Sequence, residues 1–378
     1  MTRIVVAGYA RSPFTLAKKG ALARVRPDDL AAQVVRGLVE RSGVNANDID
    51  DLLLGCAFPE GEQGLNLARL VGLMSGLPRS VGGATINRFC GSSMTSVHVA
   101  AGSIAMGAGE VFICAGVESM SRVPMMGFNP MPHPDFAKAH PEAYVGMGDT
   151  AENVAERWQI PRAEQDAFAL RSQERAAAAI ATCRFAEEIV PITAPYGAVT
   201  VDGCPRPETT LEGLATLKPA FAAEGTVTAG TSSPLTDGAA AVLICSEAYA
   251  ARTGLPILAC VRSIAVKGCD PAIMGIGPVG ASRAALERGG IEAGDLDVIE
   301  LNEAFASQAL ACVRDLGLNM ERVNLDGGAI ALGHPLGATG VRIVGKAASL
   351  LKREKGRFAL ATQCIGGGQG IATVLEAA

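Results

Sequence analysis

The chain opens with a short apolar run, Ile4–Tyr9, of strand length and character. Pro27 followed by Asp28 and Asp29 predicts a helix over Pro27–Ser42, since proline suits the first helical position and acidic groups the first turn. Ile49–Ala57 reads as a second strand. Met94, Val97, Ala101 and Ile104 then recur at spacings of three and four, which is one face of a helix. Val111–Gly116 is continuously apolar, as a strand buried on both faces should be. Strand and helix alternate through residues 1–120, so the pattern predicts an α/β fold.

Residues 118–248 break this order. Met120, Met125, Met126, Met131 and Met147 are interspersed with Pro124, Pro130, Pro132 and Pro134. Loops this long in compact proteins are usually functional, and methionine adapts to apolar ligands. A helix over Arg162–Ala181 and a Gly/Ser/Thr segment, Thr228–Pro234, follow.

From residue 256 the first pattern returns. Val44–Asp50 matches Ile291–Asp297, an offset of 291 − 44 = 247. Phe58 falls opposite Phe305, and the face Met94, Val97, Ala101, Ile104 opposite Val341, Val344, Ala348, Leu351. Val111–Gly116 falls opposite Phe358–Gln363. One offset kept over four elements predicts a duplicated α/β unit packed about a pseudo-twofold axis. The halves are 1–248, carrying the insertion 118–248, and 256–378.

The candidate chemistry follows from this repeat. In Asn87–Met94 a turn delivers Cys90 at or just before a helix N-terminus, where unpaired N–H groups and the helix dipole favour a thiolate. Free cysteine is among the most buried residue types, so core filler is the competing reading. His334 precedes the equivalent helix of the second half, in Gly333–Gly340, and is placed to deprotonate Cys90. Cys364 follows the last apolar run, ahead of Gly366, Gly367 and Gly368, whose N–H groups can approach a substrate closely and form an oxyanion hole. Asn302 follows the strand Val298–Leu301, and loops at strand C-termini collect at the ligand crevice. Gly275–Gly280 fits G-x-G-x-x-G only formally: Asp270-Pro271 separates it from any strand, and Pro278 reads as a helix start.

Composition narrows the class. A net charge of −5 leaves no basic footprint for nucleic acid. No apolar run reaches the roughly 18 residues of a membrane span. The first residues read as a strand rather than a signal peptide. The ten cysteines are scattered without C-x-x-C spacing, so no zinc site is expected. A reduced, cytoplasmic protein is expected, with most of Cys56, Cys114, Cys183, Cys204, Cys245, Cys260, Cys269 and Cys312 as core filler.

Taken together, Asn87–Met94, Asn302–Phe305, Gly333–Gly340 and Cys364–Gly370 resemble the signature blocks of the thiolase family, as do Gly225–Gly230 and Asp237–Ala241. The resemblance covers essentially the whole chain. It implies the five-layered αβαβα thiolase fold, a homodimer or dimer of dimers, and reversible cleavage of a 3-ketoacyl-CoA by CoA. Cys90 would be the acylated nucleophile, His334 its activator and Cys364 the general acid/base. Asn302, through a water, and His334 would stabilise the enolate. The N–H groups of Cys90 and Gly366 would hold the tetrahedral oxyanion. Family CoA contacts fall on Arg206, Ser233, Met147, Phe221 and Phe305. CoA is a substrate, and no metal or further cofactor is implied. Gly146, where many short-chain biosynthetic members carry histidine, and the block Arg88–Met94 resemble the fatty-acid β-oxidation branch. The alternative is a biosynthetic acetoacetyl-CoA thiolase. A decarboxylating ketoacyl synthase would resemble Cys-His-His, and Cys364 stands at the third position.

Overall fold

The computed structural model describes residues 2–378. Its first helix, α1 (Pro27–Ser42), keeps the predicted bounds. Pro27 opens it, Asp28 and Asp29 face the positive end of the dipole, and Gly43 closes it at φ +71°. The helix Arg162–Ala181 also keeps its predicted bounds. The predicted strand Ile49–Ala57 contracts to Asp51–Gly55, because Ala46–Asp48 winds into a 3₁₀ turn just before it.

The main sheet contains β1 (Ile4–Arg11), β2 (Asp51–Gly55), β3 (Gly82–Ile86), β4 (Val111–Ser119), β5 (Thr236–Ser246), β6 (Ala259–Gly268), β7 (Leu296–Leu301), β8 (Phe358–Ile365) and β9 (Gln369–Glu376). Their order is β7-β8-β9-β6-β1-β5-β4-β2-β3, and a two-residue strand, Thr15–Leu16, edges β5. The duplication reaches the register. Ile113, Cys114 and Ala115 of β4 pair in parallel with Leu52, Leu53 and Leu54 of β2. Leu360, Ala361 and Thr362 of β8 pair with Ile299, Glu300 and Leu301 of β7, each residue 247 further on. The 3₁₀ turns Ala46–Asp48 and Ala293–Asp295 obey the same offset.

The two half-sheets are joined, not merely packed: β1 pairs with β6 at Val5–Cys260 and Val6–Ala259. Helices α3 (Ser92–Ala105) and α8 (Leu336–Glu354) lie between the halves, and their predicted faces form the central core. Helices α1 and α2 (Leu67–Met74) cover one outer face. Helices α6 (Gly277–Gly289) and α7 (Ala306–Leu316) cover the other. Five layers result, α/β/α/β/α.

The insertion is shorter than the expected 118–248. Thr236–Ser246 is buried at every residue and lies between β1 and β4. The intruding segment is therefore 120–235, containing helices α4 (Met147–Arg157) and α5 (Arg162–Ala181). Its methionines do not form one surface. Met120 is buried, Met147 half-buried, and Met125, Met126 and Met131 are exposed. Most of the cysteines expected to fill the core do so; the exceptions are Cys183, which is exposed, and Cys269, which is partly so. No helix among the described residues is long and apolar enough to cross a membrane.

The central helices touch where Gly340 meets Met94. A Cβ at Gly340 would lie 2.2 Å from the Met94 nitrogen, and Val341 N–H donates to Ser93 Oγ at 3.0 Å. Main chain cannot swing aside as a side-chain tip can. Gly340→Ala is therefore expected to separate the helices and cost about 1–3 kcal/mol. Urea unfolding at an unchanged midpoint would contradict this.

Candidate active site

The turn before α3 is held from within its own sequence. Phe89 has φ +43°, a left-handed conformation uncommon for a bulky residue. Asn87 Oδ1 accepts the Phe89 N–H at 2.9 Å, Ser92 Oγ accepts the Arg88 N–H at 2.9 Å, and the Ser92 hydroxyl donates to the Phe89 carbonyl at 2.6 Å. Gly91 lets the turn lie on β8, since a Cβ there would be 2.5 Å from Ile365 Cδ1. The Gln363 amide donates to the Cys90 carbonyl. The N–H groups of Gly366 and of Cys90 itself pull the Cys90 thiol down.

As expected, Cys90 stands just before a helix: Gly91 is the N-cap and α3 starts at Ser92. The expected low-pKa thiolate does not accompany that position. Cys90 is partly accessible, yet desolvation pushes its thiol up to about 11 against the opposing pull of the two N–H groups. The resting thiol is protonated at neutral pH, so its activation requires a base.

His334 is placed by a strained glycine and two threonines. Gly333 has φ +98° and abuts Thr236, whose hydroxyl accepts the His334 N–H at 3.1 Å. On the ring, Nδ1 lies 2.6 Å from Thr339 Oγ1. The one hydroxyl hydrogen of Thr339 goes to the Pro335 carbonyl at 3.0 Å. The hydrogen-bond network thus assigns the proton to Nδ1 and makes Nε2 the acceptor of the ring. Asn302 Nδ2 lies 3.3 Å from Nε2. Burial, helped by the charge of Arg342, drops His334 to about 3, so the ring is neutral. Asn302 Oδ1 is buried with no partner in the protein, an acceptor open to a water or ligand.

Cys364 lies within β8 rather than after it and is fully buried. Burial and the nearby Cys90 push its thiol well above the ordinary range. Its apolar neighbours include Phe305, Met147, Ala304 and Met274. A Cβ at Gly366 would lie 3.5 Å from Met147 Sδ and 3.7 Å from Phe89 Cδ2.

Four of the five residues expected to contact CoA gather on this side. Phe221 and Phe305 meet edge to face with centroids 5.9 Å apart. Gly148, beside Met147, admits the Phe221 ring, since a Cβ there would be 2.0 Å from it. Ser233 N–H donates to the Ala304 carbonyl at 2.9 Å. Arg206 is fixed through its main chain, whose N–H donates to Gln173 Oε1 of α5 at 2.8 Å, and its side chain is exposed.

Sequence reasoning missed Glu118, Thr236, Thr339 and Gln363, which hold Gly337, His334 and Cys90. Glu118 carried a signal: it is one carboxylate at the end of an otherwise uncharged, fully buried strand.

Comparison with known proteins agrees with this arrangement. The profile of the thiolase N-terminal domain matches residues 4–248, and that of the thiolase C-terminal domain residues 255–377. The chain is 47% identical to a 3-ketoacyl-CoA thiolase of Bacillus subtilis and 49% identical to one of Shewanella oneidensis, in each case covering 100% of both chains. The crystal structure of human mitochondrial 3-ketoacyl-CoA thiolase in complex with CoA superposes with a TM-score of 0.92 at 38% identity, covering 100% of this chain and 98% of that one. With profile matches spanning both halves, and with its cysteines, histidine and glycine turn arranged as described, this chain belongs to the thiolase family.

Proposed function

We propose that the protein cleaves 3-ketoacyl-CoA with CoA, giving acetyl-CoA and an acyl-CoA two carbons shorter. The carrying observation is a partly accessible Cys90 with a second, buried thiol, Cys364, beside it; a neutral His334 whose Nε2 is an acceptor supplies the base. His334 takes the Cys90 proton, and the sulfur attacks the 3-keto carbon. The N–H groups of Cys90 and Gly366 hold the tetrahedral oxyanion. Its collapse breaks the C2–C3 bond, leaving an acyl group on Cys90 and the electron pair on the acetyl-CoA enolate. His334 and, through a water, Asn302 stabilise the enolate oxygen, and the Cys364 thiol gives C2 its proton. CoA then attacks the acyl-Cys90 thioester. Its thiol proton returns to Cys364, and the second tetrahedral intermediate collapses by breaking the bond to Cys90. His334 gives its proton back to the expelled Cys90 sulfur, and acyl-CoA leaves.

Cys90 packs on an apolar cluster of Ala57, Met120 and Leu336, with Phe58 beside it, which favours the degradative branch over acetoacetyl-CoA synthesis. Each methylene buried there is worth about 0.8 kcal/mol. Two of them raise kcat/KM roughly tenfold. The test is kcat/KM for 3-ketobutyryl-, 3-ketohexanoyl- and 3-ketodecanoyl-CoA. A rise from the first to the second is expected. A steep fall assigns the protein to the biosynthetic branch.

A further inference from the structure

Glu118 ends β4 with its carboxylate buried, and every group that touches it is a donor. Oε2 accepts the N–H of Ala57 at 2.8 Å and of Gly337 at 2.9 Å. Oε1 accepts from Gln63 Nε2 at 2.8 Å and from the Phe58 N–H at 3.3 Å, with the Cys56 thiol at 3.7 Å. No cation pairs with it among the described residues; burial pushes its carboxyl up, and the hydrogen bonds from Ala57, Gln63, Gly337 and Phe58 are what oppose that. Its donors come from both halves. Gly337 opens α8, three residues beyond His334, while Ala57 and Phe58 border Cys90.

The internal repeat gives this contact its meaning. The offset places Gly337 opposite Cys90 (337 − 90 = 247) and Ile365 opposite Glu118 (365 − 118 = 247). At one junction the start of α3 lies on the end of β8, with Gly91 against Ile365 and the Cys90 sulfur toward the Gly366 N–H. At its mate the start of α8 lies on the end of β4. A Cβ at Gly337 would be 2.4 Å from the Val117 carbonyl, and its N–H meets Glu118. The first junction presents the reactive thiol, and the second is closed by a carboxylate. The titratable groups set around Cys90 are Glu118 from β4, Cys364 from β8 and, ahead of α8, His334, the base of the proposed reaction.

We infer that Glu118 is a positioning residue for the proposed reaction: it clamps the start of α8 to the first half of the molecule and so fixes His334 relative to Cys90. This inference rests on the thiolysis reading above. Glu118→Gln and Glu118→Asp test it, using thiolysis of 3-ketohexanoyl-CoA and the pH profile of Cys90 alkylation by iodoacetamide. In Glu118→Gln an amide NH₂ must face N–H donors, and the negative neighbour of Cys90 is lost. We expect kcat to fall about 100-fold, the loss typical of a displaced catalytic group, with KM for CoA within about twofold. The alkylation midpoint moves to lower pH, because a nearby anion disfavours the thiolate. Glu118→Asp keeps the charge but cannot reach both sets of donors, so kcat falls at least about tenfold with the midpoint unmoved. Wild-type kcat in both variants overturns the inference, as does a loss matching only the unfolded fraction by circular dichroism. Should Glu118→Gln not fold, the same kcat criterion applies to Glu118→Asp. A wild-type protein that fails to cleave 3-ketoacyl-CoA removes the thiolysis reading alone. The alkylation midpoints then decide whether Glu118 acts on Cys90.

Discussion

Cys90→Ala is expected to reduce thiolysis by more than about 10⁴-fold while the protein stays folded. The size of the loss follows from the chemistry. Without the sulfur there is no acyl-enzyme, and one difficult displacement is no longer divided into two easier ones. The fold should survive because Cys90 lies at a partly accessible position, so water can reach the N–H groups of Cys90 and Gly366 that the sulfur leaves behind. Incubating the wild-type protein with acyl-CoA and digesting it should show one acyl group, on the peptide containing Cys90. The control is demanding, because all ten cysteines are free. Seven of them are buried, and only Cys183 and Cys269 compete with Cys90 for access. Acylation confined to either of those would overturn the assignment.

The layered fold was legible because its duplication is written at one offset. Val44–Asp50 and Ile291–Asp297 look alike in sequence, and their 3₁₀ turns and neighbouring strands agree residue for residue. The end of the insertion was not legible, for a reason the same repeat supplies. Cys245 pairs with Val111, and Glu376 with Phe358, so β5 and β9 are equivalent at 376 − 245 = 131. A search at 247 passes over that pair, because the inserted segment lies between β4 and β5. Within the site, Cys90 and His334 were marked by local glycine, serine and proline signals. The ionisation of Cys90 was not. A helix start argues for a lowered pKa, and only the packing around the sulfur shows that desolvation prevails. Glu118 stood out as a lone charge on an apolar strand, but its role was not legible, because its Gly337 donor lies 219 residues away.

His334→Ala and Cys364→Ser should separate two steps that both depend on proton transfer. The Cys90 thiol sits at about 11 and is protonated at pH 7. The His334 ring sits at about 3 and is neutral, with its proton on Nδ1 held by Thr339. A neutral imidazole with its proton on Nδ1 is the form that can accept a proton at Nε2. Its removal should slow iodoacetamide alkylation of Cys90 by about 10²-fold, the lower end of what a positioned base contributes. Cys364→Ser leaves that base untouched, so alkylation should stay within about twofold of wild type. The serine hydroxyl is a far weaker acid than the thiol it replaces. In the apolar surroundings of Phe305, Ala304 and Met274 nothing assists its ionisation. Solvent exchange of the acetyl-CoA methyl protons, followed by NMR in deuterium oxide, should therefore fall by at least about 10²-fold. The two readouts move independently only if His334 serves the sulfur and Cys364 serves the carbon. Wild-type exchange in Cys364→Ser would remove Cys364 from the acid/base role and pass that role to His334, whose neutral Nε2 is the other proton acceptor placed at the site.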